Sequence, residues 1–345
     1  MGGAPGAVVV GCGVMGAATA YCLARAGHPV TVFERFQVGH KRGSSHGPTR
    51  IFRLSYPEAR YVALAAEARE LWRRAEDELG ERLLVTTGGL DLGDGIDANA
   101  VALTEAGVPF ELLDAARVAA RWPFLHLRDS ERALFQPDAG VALADRAVAA
   151  FTAGARARGA DIVEHEVVTR LTPAGDGVEL ELGSGRVVRA RVAVVTAGAW
   201  ARDLLAGAGI ELPVEATRET VAYFRVAHPP PPSVVQWGRP LVYALASSGG
   251  EIKAGEHLAG HRADPNQEGV PDYTSVERVA EWVAERFPGA DPAPTHVETC
   301  LYTNTADESF ILERHGPIVV GSACSGHGFK FAPAIGERLA ALASA

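Results

Sequence analysis

Cysteine is scarce in this chain. Its four residues, Cys12, Cys22, Cys300 and Cys324, are too few and too scattered for a disulfide framework, and no CxxC pair suggests zinc. No metal site is expected. Long apolar runs are also missing: nothing reaches the roughly 18 residues that would span a bilayer. The opening Met1-Gly2-Gly3-Ala4-Pro5-Gly6 lacks a basic-then-apolar leader, and Gly6 stands where a myristoylation signal needs Ser or Thr. Basic residues number 33 against 42 acidic ones, a formal charge of −9, which argues against a nucleic-acid partner. No internal repeat is found, and Gly207-Ala208-Gly209 lacks the third glycine of a second dinucleotide fingerprint. These absences point to a soluble protein of the reducing cytoplasm, with neither membrane nor nucleic acid as partner.

What is present begins at Ala7-Val8-Val9-Val10, an apolar strand running into Gly11-Cys12-Gly13-Val14-Met15-Gly16. A helix-length stretch of small residues follows, then Val30-Thr31-Val32-Phe33 and Glu34. In this pattern Gly11 permits the tight turn, Gly13 lets backbone N–H groups approach a pyrophosphate, and Gly16 lets the helix pack close to the sheet. The helix N-terminus then faces an anion, and Glu34 can accept hydrogen bonds from an adenosine ribose. The acid does not separate FAD from NAD.

Downstream, Gly39 to Arg50 reads as a polar loop and Tyr61–Glu78 as an amphipathic helix with Trp72 in the core. Leu84–Leu92 is expected as one strand with an irregularity at Gly88-Gly89, and Asn99–Glu105 and Ala115–Arg121 as short helices. Ala133–Gly140 returns the chain through a turn. Asp145–Arg158 reads as a helix, and Asp161–Glu166 as a strand followed by two more around Ala174–Gly177. The buried strand Arg191–Val195 runs into Thr196-Ala197-Gly198-Ala199-Trp200, at the strand end where a doubly wound sheet meets its ligand; this reads as a second nucleotide-contacting turn, with plain packing the alternative. Val221–Val226, Leu241–Ala246 and Ile252–Ala254 suggest a mostly antiparallel sheet, and Pro229 to Pro232 a rigid connector. Ser275–Phe287 is helical, and Ile318–Gly321 leads through a glycine turn into a closing helix. At 345 residues two interleaved domains are expected.

Read from its residues alone, Cys300 is a small core side chain. Lys253, in Ile252-Lys253-Ala254-Gly255, is either a buried lysine that marks a site or an edge-strand lysine facing water, and the second reading is the plainer one.

The combination of Gly11-x-Gly13-x-x-Gly16 with Glu34, Ser45-His46-Gly47-Pro48-Thr49-Arg50-Ile51-Phe52-Arg53, Cys300-Leu301-Tyr302, Asp307-x-x-Phe310-Ile311 and Ser325-Gly326-His327-Gly328-Phe329-Lys330-Phe331 resembles the monomeric sarcosine oxidase and N-methyltryptophan oxidase family. These are FAD-dependent amine oxidases of the D-amino-acid oxidase group, and the resemblance covers nearly the whole chain. It implies an α/β fold, an FAD-binding Rossmann-like domain (residues 1–85, 140–215 and 300–345) interleaved with a substrate domain (86–139 and 216–299) built on a mostly antiparallel sheet. It implies FAD joined through Cys300 and held by Gly11, Gly13, Met15, Gly16, Glu34, Arg35, Ser44, Ser45, Thr49, Arg50, Val168, Ala197, Gly198, Trp200, Gly326, His327, Gly328 and Lys330. Arg53 and Lys330 would hold a substrate carboxylate, Tyr243, His257 and Tyr302 would line the pocket, and Lys253 would promote electron transfer to oxygen.

The implied reaction oxidises the secondary amine of an N-substituted amino acid by hydride transfer to the flavin, followed by imine hydrolysis and reoxidation by O2 to hydrogen peroxide, in a monomer. A glycine- or D-amino-acid-type primary amine oxidase, a biosynthetic tailoring oxidase and a non-catalytic flavin-binding protein are the alternatives. The chain departs from the family pattern at Pro48, where an acid is usual, and is short near residues 95 and 230. It ends fifteen residues after Lys330, where relatives continue. A shorter lid implies room for a larger N-substituent.

Overall fold

The computed structural model describes residues 6–345; the reading of Met1–Pro5 as carrying no leader lies outside them. Valine-rich strands buried on both faces favour a parallel sheet covered by helices, and one forms here. Its strands run in the order Ile311–His315, Ile318–Ser322, Val192–Val195, Ala7–Val10, Val30–Phe33 and Asp161–Val163. All pairs are parallel except the first, an antiparallel hairpin edge. The helix Val14–Arg25 packs on this sheet with Ala144–Ala157 and Ala332–Ser344 around it. Small residues make the approach possible: a Cβ on Gly336 would stand 2.9 Å from the Ala18 backbone.

The second large sheet has nine strands and is mostly antiparallel. Glu215–Arg225 lies between Glu251–His257 and His296–Asn304, and the sheet continues through Leu241–Ala246, Ser233–Trp237, Gly89–Gly93, Arg132–Gln136 and Glu111–Asp114. One face carries Ile252, Ala254, Ala222, Phe224, Val242 and Ala244 into a core with the helix Tyr273–Arg286. Residues one place along each strand point the other way.

Several boundaries differ from the sequence reading. The stretch expected as one strand over Leu84–Leu92 is two, Leu84–Thr86 and Gly89–Gly93, in different sheets, because Gly88 at φ +80° turns the chain between them. The expected loop ends early, since Thr49–Phe52 pairs with Gly140–Leu143 as a strand. The expected turn over Ala133–Gly140 is mostly strand, Arg132–Gln136. The strand from Asp161 stops at Val163. Among the described residues, no helix is long and apolar enough to cross a membrane, and no group of three or more His, Cys, Asp or Glu could hold a metal.

Candidate active site

The two sheets face one cavity of about 760 Å³. On the parallel-sheet side the chain leaves Val10 through Gly11, at φ +93°. A Cβ on Gly16 would lie 1.9 Å from the Gly11 carbonyl oxygen, so only glycine allows this turn and helix to touch. The helix beginning at Val14 has no side-chain cap from its N-cap residue and no acid in its first turn, which leaves its positive end turned to the cavity. Ser45 Oγ accepts the Val14 N–H at 3.0 Å. Glu34, nearly fully buried, accepts from the N–H groups of Cys12 (2.7 Å) and Phe36 (2.8 Å), which fixes its carboxylate at the strand end. Arg35 lies over the Trp200 ring at 5.7 Å, and Gly198 at φ +51° opens the Ala197–Trp200 turn between them and the sheet. Val168 lines the same end.

Arg50 ties the loop above this turn together, donating to the carbonyls of Ser44 (2.9 Å), His46 (2.5 Å) and Thr49 (2.9 Å). The Thr49 hydroxyl donates to Ala246 O at 2.9 Å, joining the small sheet to the large one, and Ser44 Oγ donates to Leu301 O. Beside Pro48, Asp145 at the start of a helix accepts the Gly47 N–H at 2.8 Å.

Strand register then builds the opposite wall. Tyr223 pairs with Lys253, Glu219 with Cys300, Thr217 with Tyr302, Tyr243 with Gly255 and Leu241 with His257. Paired residues share a face, so Lys253, His257, Tyr243, Cys300 and Tyr302 come out together although 59 positions separate the extremes. The reading of Lys253 as an edge lysine in water is wrong: its strand is interior and it is 4% exposed. Burial, then the charge of Arg50, pushes its ammonium down to about 7, against the pull of Cys300, Glu298 and Asp145. Among the described residues its Nζ has no hydrogen bond to protein. Burial raises the Cys300 thiol, with Arg50 and Lys253 opposing.

At the far end Lys330, also 4% exposed, donates to Tyr56 Oη (2.8 Å) and to His327 O (2.6 Å). Its backbone carbonyl accepts from Trp72 Nε1 at 2.7 Å, so the core tryptophan also seats it. Burial, then Arg53, holds its ammonium well below the usual lysine range. Both ring nitrogens of His327 face protein partners, Tyr56 Oη at 3.3 Å and Glu308 O at 3.0 Å. Gly326 at φ +69° passes so near that a Cβ there would be 2.1 Å from the Tyr302 ring. Met15 and Gly328 line the floor; Gly16 is packed beneath the cavity rather than in its wall.

The sequence reading missed Tyr56, Trp237 and His46. Tyr56 and Trp237 sit in short stretches with turn residues on one side, Ser55-Tyr56-Pro57 and Gln236-Trp237-Gly238, and carry no motif of their own. His46 is buried with both ring nitrogens unpartnered, and burial, then Arg50 and Lys253, pushes it down to about 4.

The profile of the family described as "FAD dependent oxidoreductase" matches residues 7–342. The chain belongs to this family. It is similar to the monomeric sarcosine oxidase of Bacillus sp. (strain B-0618), 32% identical over 97% of this chain and 91% of the relative. The N-methyl-L-tryptophan oxidase of Salmonella arizonae is 30% identical over 96% of this chain and 92% of its own length. Among solved structures, the open form of NikD, "an unusual amino acid oxidase essential for nikkomycin biosynthesis", superposes with a TM-score of 0.88 at 30% identity, covering 98% of this chain and 93% of that one. This family member is an FAD-dependent amino acid oxidase in fold and cofactor class, and its residues fit FAD: the glycine cradle, the uncapped helix end and the fixed Glu34 carboxylate open on one long cavity.

Proposed function

We propose that the protein oxidises the secondary amine of a small N-alkyl amino acid. The observation that carries this reading is the pairing, across one cavity, of the Arg53–Lys330 cation pair with the sheet face bearing Lys253, His257, Tyr243, Cys300 and Tyr302. FAD, when bound, supplies the hydride acceptor and returns the electrons to oxygen. Two fixed cations orient a carboxylate and thereby fix where the amine sits. Their charge lowers the pKa of a substrate ammonium, so that it gives up its proton and frees the lone pair needed for oxidation. Tyr243, Tyr302 and His257 line the space for the N-substituent. Lys253, in the same cavity, would supply a positive charge that favours reduction of oxygen.

In the same proposal Gly11, Gly13 and the Val14 helix hold the pyrophosphate, Glu34 the ribose, Arg35 and Trp200 the adenine end, and Ser44, Ser45, Thr49, Arg50 and the Gly326–Gly328 turn the ring. Cys300 carries a covalent link to it. The cofactor domain comprises 1–85, 140–215 and 300–345. The four free thiols are in keeping with a reducing cytoplasm, and relatives named monomeric support a single-chain enzyme.

Two measurements test this. Purified protein is precipitated in acid and the visible spectrum of pellet and supernatant read: flavin in the pellet supports the Cys300 link, flavin in the supernatant removes it. A panel of N-methyl and primary amino acids is then assayed for peroxide and amine product. Alkylamine release is expected. Ammonia alone would move the reading to a primary amine oxidase, and bound flavin with no peroxide from any substrate would leave only a binding protein.

A further inference from the structure

Behind Arg53 lies a carboxylate that the reaction scheme leaves unused. Asp91 is 1% exposed, on the Gly89–Gly93 strand of the large sheet. Its register partners are Leu134 and Val235, which puts it on the same face as Gln136 and Trp237. A buried carboxylate costs stability unless it is paired or hydrogen-bonded. Asp91 Oδ2 accepts from Gln136 Nε2 at 3.1 Å and from Asn99 Nδ2 at 3.4 Å. Burial raises its pKa, and the nearby Arg53 charge is the largest influence opposing that rise, with Ser55, Trp237 and Asn99 also facing it.

The amide of Gln136 transmits this outward. Its Oε1 accepts from the backbone N–H groups of Leu54 (2.9 Å) and Ser55 (2.8 Å), so the NH2 is the end turned toward Asp91. Leu54 and Ser55 are the two residues after Arg53. The Arg53 guanidinium folds onto this segment, donating to Ser55 O and, at 3.4 Å, to Ser55 Oγ. It is held between the rings of Tyr56 (4.2 Å) and Trp237 (4.9 Å). Hydrogen bonds and two aromatic faces thus fix it, and Arg53 lines the cavity together with Lys330.

We propose that Asp91 is the positioning residue for Arg53: through the Gln136 amide it fixes the seat from which the guanidinium receives the substrate carboxylate. This rests on the assignment of Arg53 as a carboxylate binder. An outer partner that orients a binding group is felt mainly in affinity for that group's ligand.

The test uses the FAD-loaded protein and two probes of one shape, 2-furoate and its uncharged amide, titrated by the change each causes in the flavin absorbance. Asp91→Leu is expected to weaken furoate by about tenfold, the loss of one well-placed charged hydrogen bond, while leaving the amide within about twofold. Asp91→Asn, which still accepts from Gln136, is expected to keep most of the furoate affinity. Equal changes for both probes in Asp91→Leu, or no change for either, would overturn the proposal. Should that variant fail to bind FAD, Gln136→Met removes the same link and is read in the same way. Arg53→Lys is run alongside: unchanged furoate affinity there would sink the carboxylate assignment itself, whereas a loss there with none in the Asp91 and Gln136 variants would sink only the role of Asp91.

Discussion

The two walls of the cavity are built on different physics. The parallel-sheet wall presents mainly backbone to the cavity: Gly11 and Gly13, with Gly16 packed beneath them, an uncapped helix end and a single acid, Glu34, whose oxygens are already fixed by backbone N–H groups. The wall built by the large sheet and the Arg53 and Lys330 segments instead presents side chains with buried charge, two of them lysines at 4% exposure. The lysines differ as well. Lys330 is tied by two hydrogen bonds and flanked by Arg53, an arrangement suited to receiving an anion in one place. Lys253 has no such tether, and its charge answers to whatever lies in the cavity. In the proposed function, backbone would fix where the cofactor lies, whereas buried charge would decide what chemistry follows.

The sharpest way to break the first wall is Gly16→Ala. With its Cβ set 1.9 Å from Gly11 O and 2.7 Å from Thr196 Oγ1, the turn and helix must separate. The expected product is protein purified without flavin, checked by the 450 nm region of its spectrum, and a variant that keeps full FAD would contradict the cradle.

On the second wall, Lys253→Met is expected to slow reoxidation by oxygen about 10²–10³-fold, the scale of losing one preorganised electrostatic group. Anaerobic flavin reduction, followed by stopped flow, should change little, and equal loss in both half-reactions would take Lys253 out of the oxygen step.

A smaller effect concerns protons. Lys330 is held well below the usual lysine range by burial and Arg53, and an anion placed between the two cations favours the charged form. Carboxylate binding should therefore be accompanied by proton uptake at Lys330. Calorimetry of 2-furoate binding in two buffers of different ionisation heat measures it, and identical heats in both would argue against the anion site.

The smallest effect is on stability. A lysine depressed from 10.5 to about 7 in the fold binds fewer protons folded than unfolded between those values, so stability rises with pH across that window. Lys253→Met removes the cost of burying this lysine. Its flavin-free form should melt higher than the parent at pH 7, with the gap narrowing towards pH 10. A gap that stays constant with pH would mean that Lys253 titrates normally.

Much of the cofactor wall was legible in sequence because its signals are local. Ala7–Glu34 carries strand, turn, helix and acid within 28 residues, and each reads from its own neighbours. Arg53, Cys300 and Lys330 were found through their resemblance to family motifs, not through spacing. Asp91 and Trp237 went unread, since neither has a local pattern and each matters only through residues far along the chain. Leu84–Leu92 misled because alternation continues through Gly88-Gly89, while the strand changes sheet there.

By itself, then, the sequence determined the nucleotide turn, the alternation within each strand and the chemical types available: two lysines, an arginine, a cysteine and several tyrosines. Alternation says which residues share a face but not which face is inside. That was decided by register between remote strands, Tyr223 with Lys253 and Glu219 with Cys300, because a slip of one residue would turn every one of these side chains to the other face.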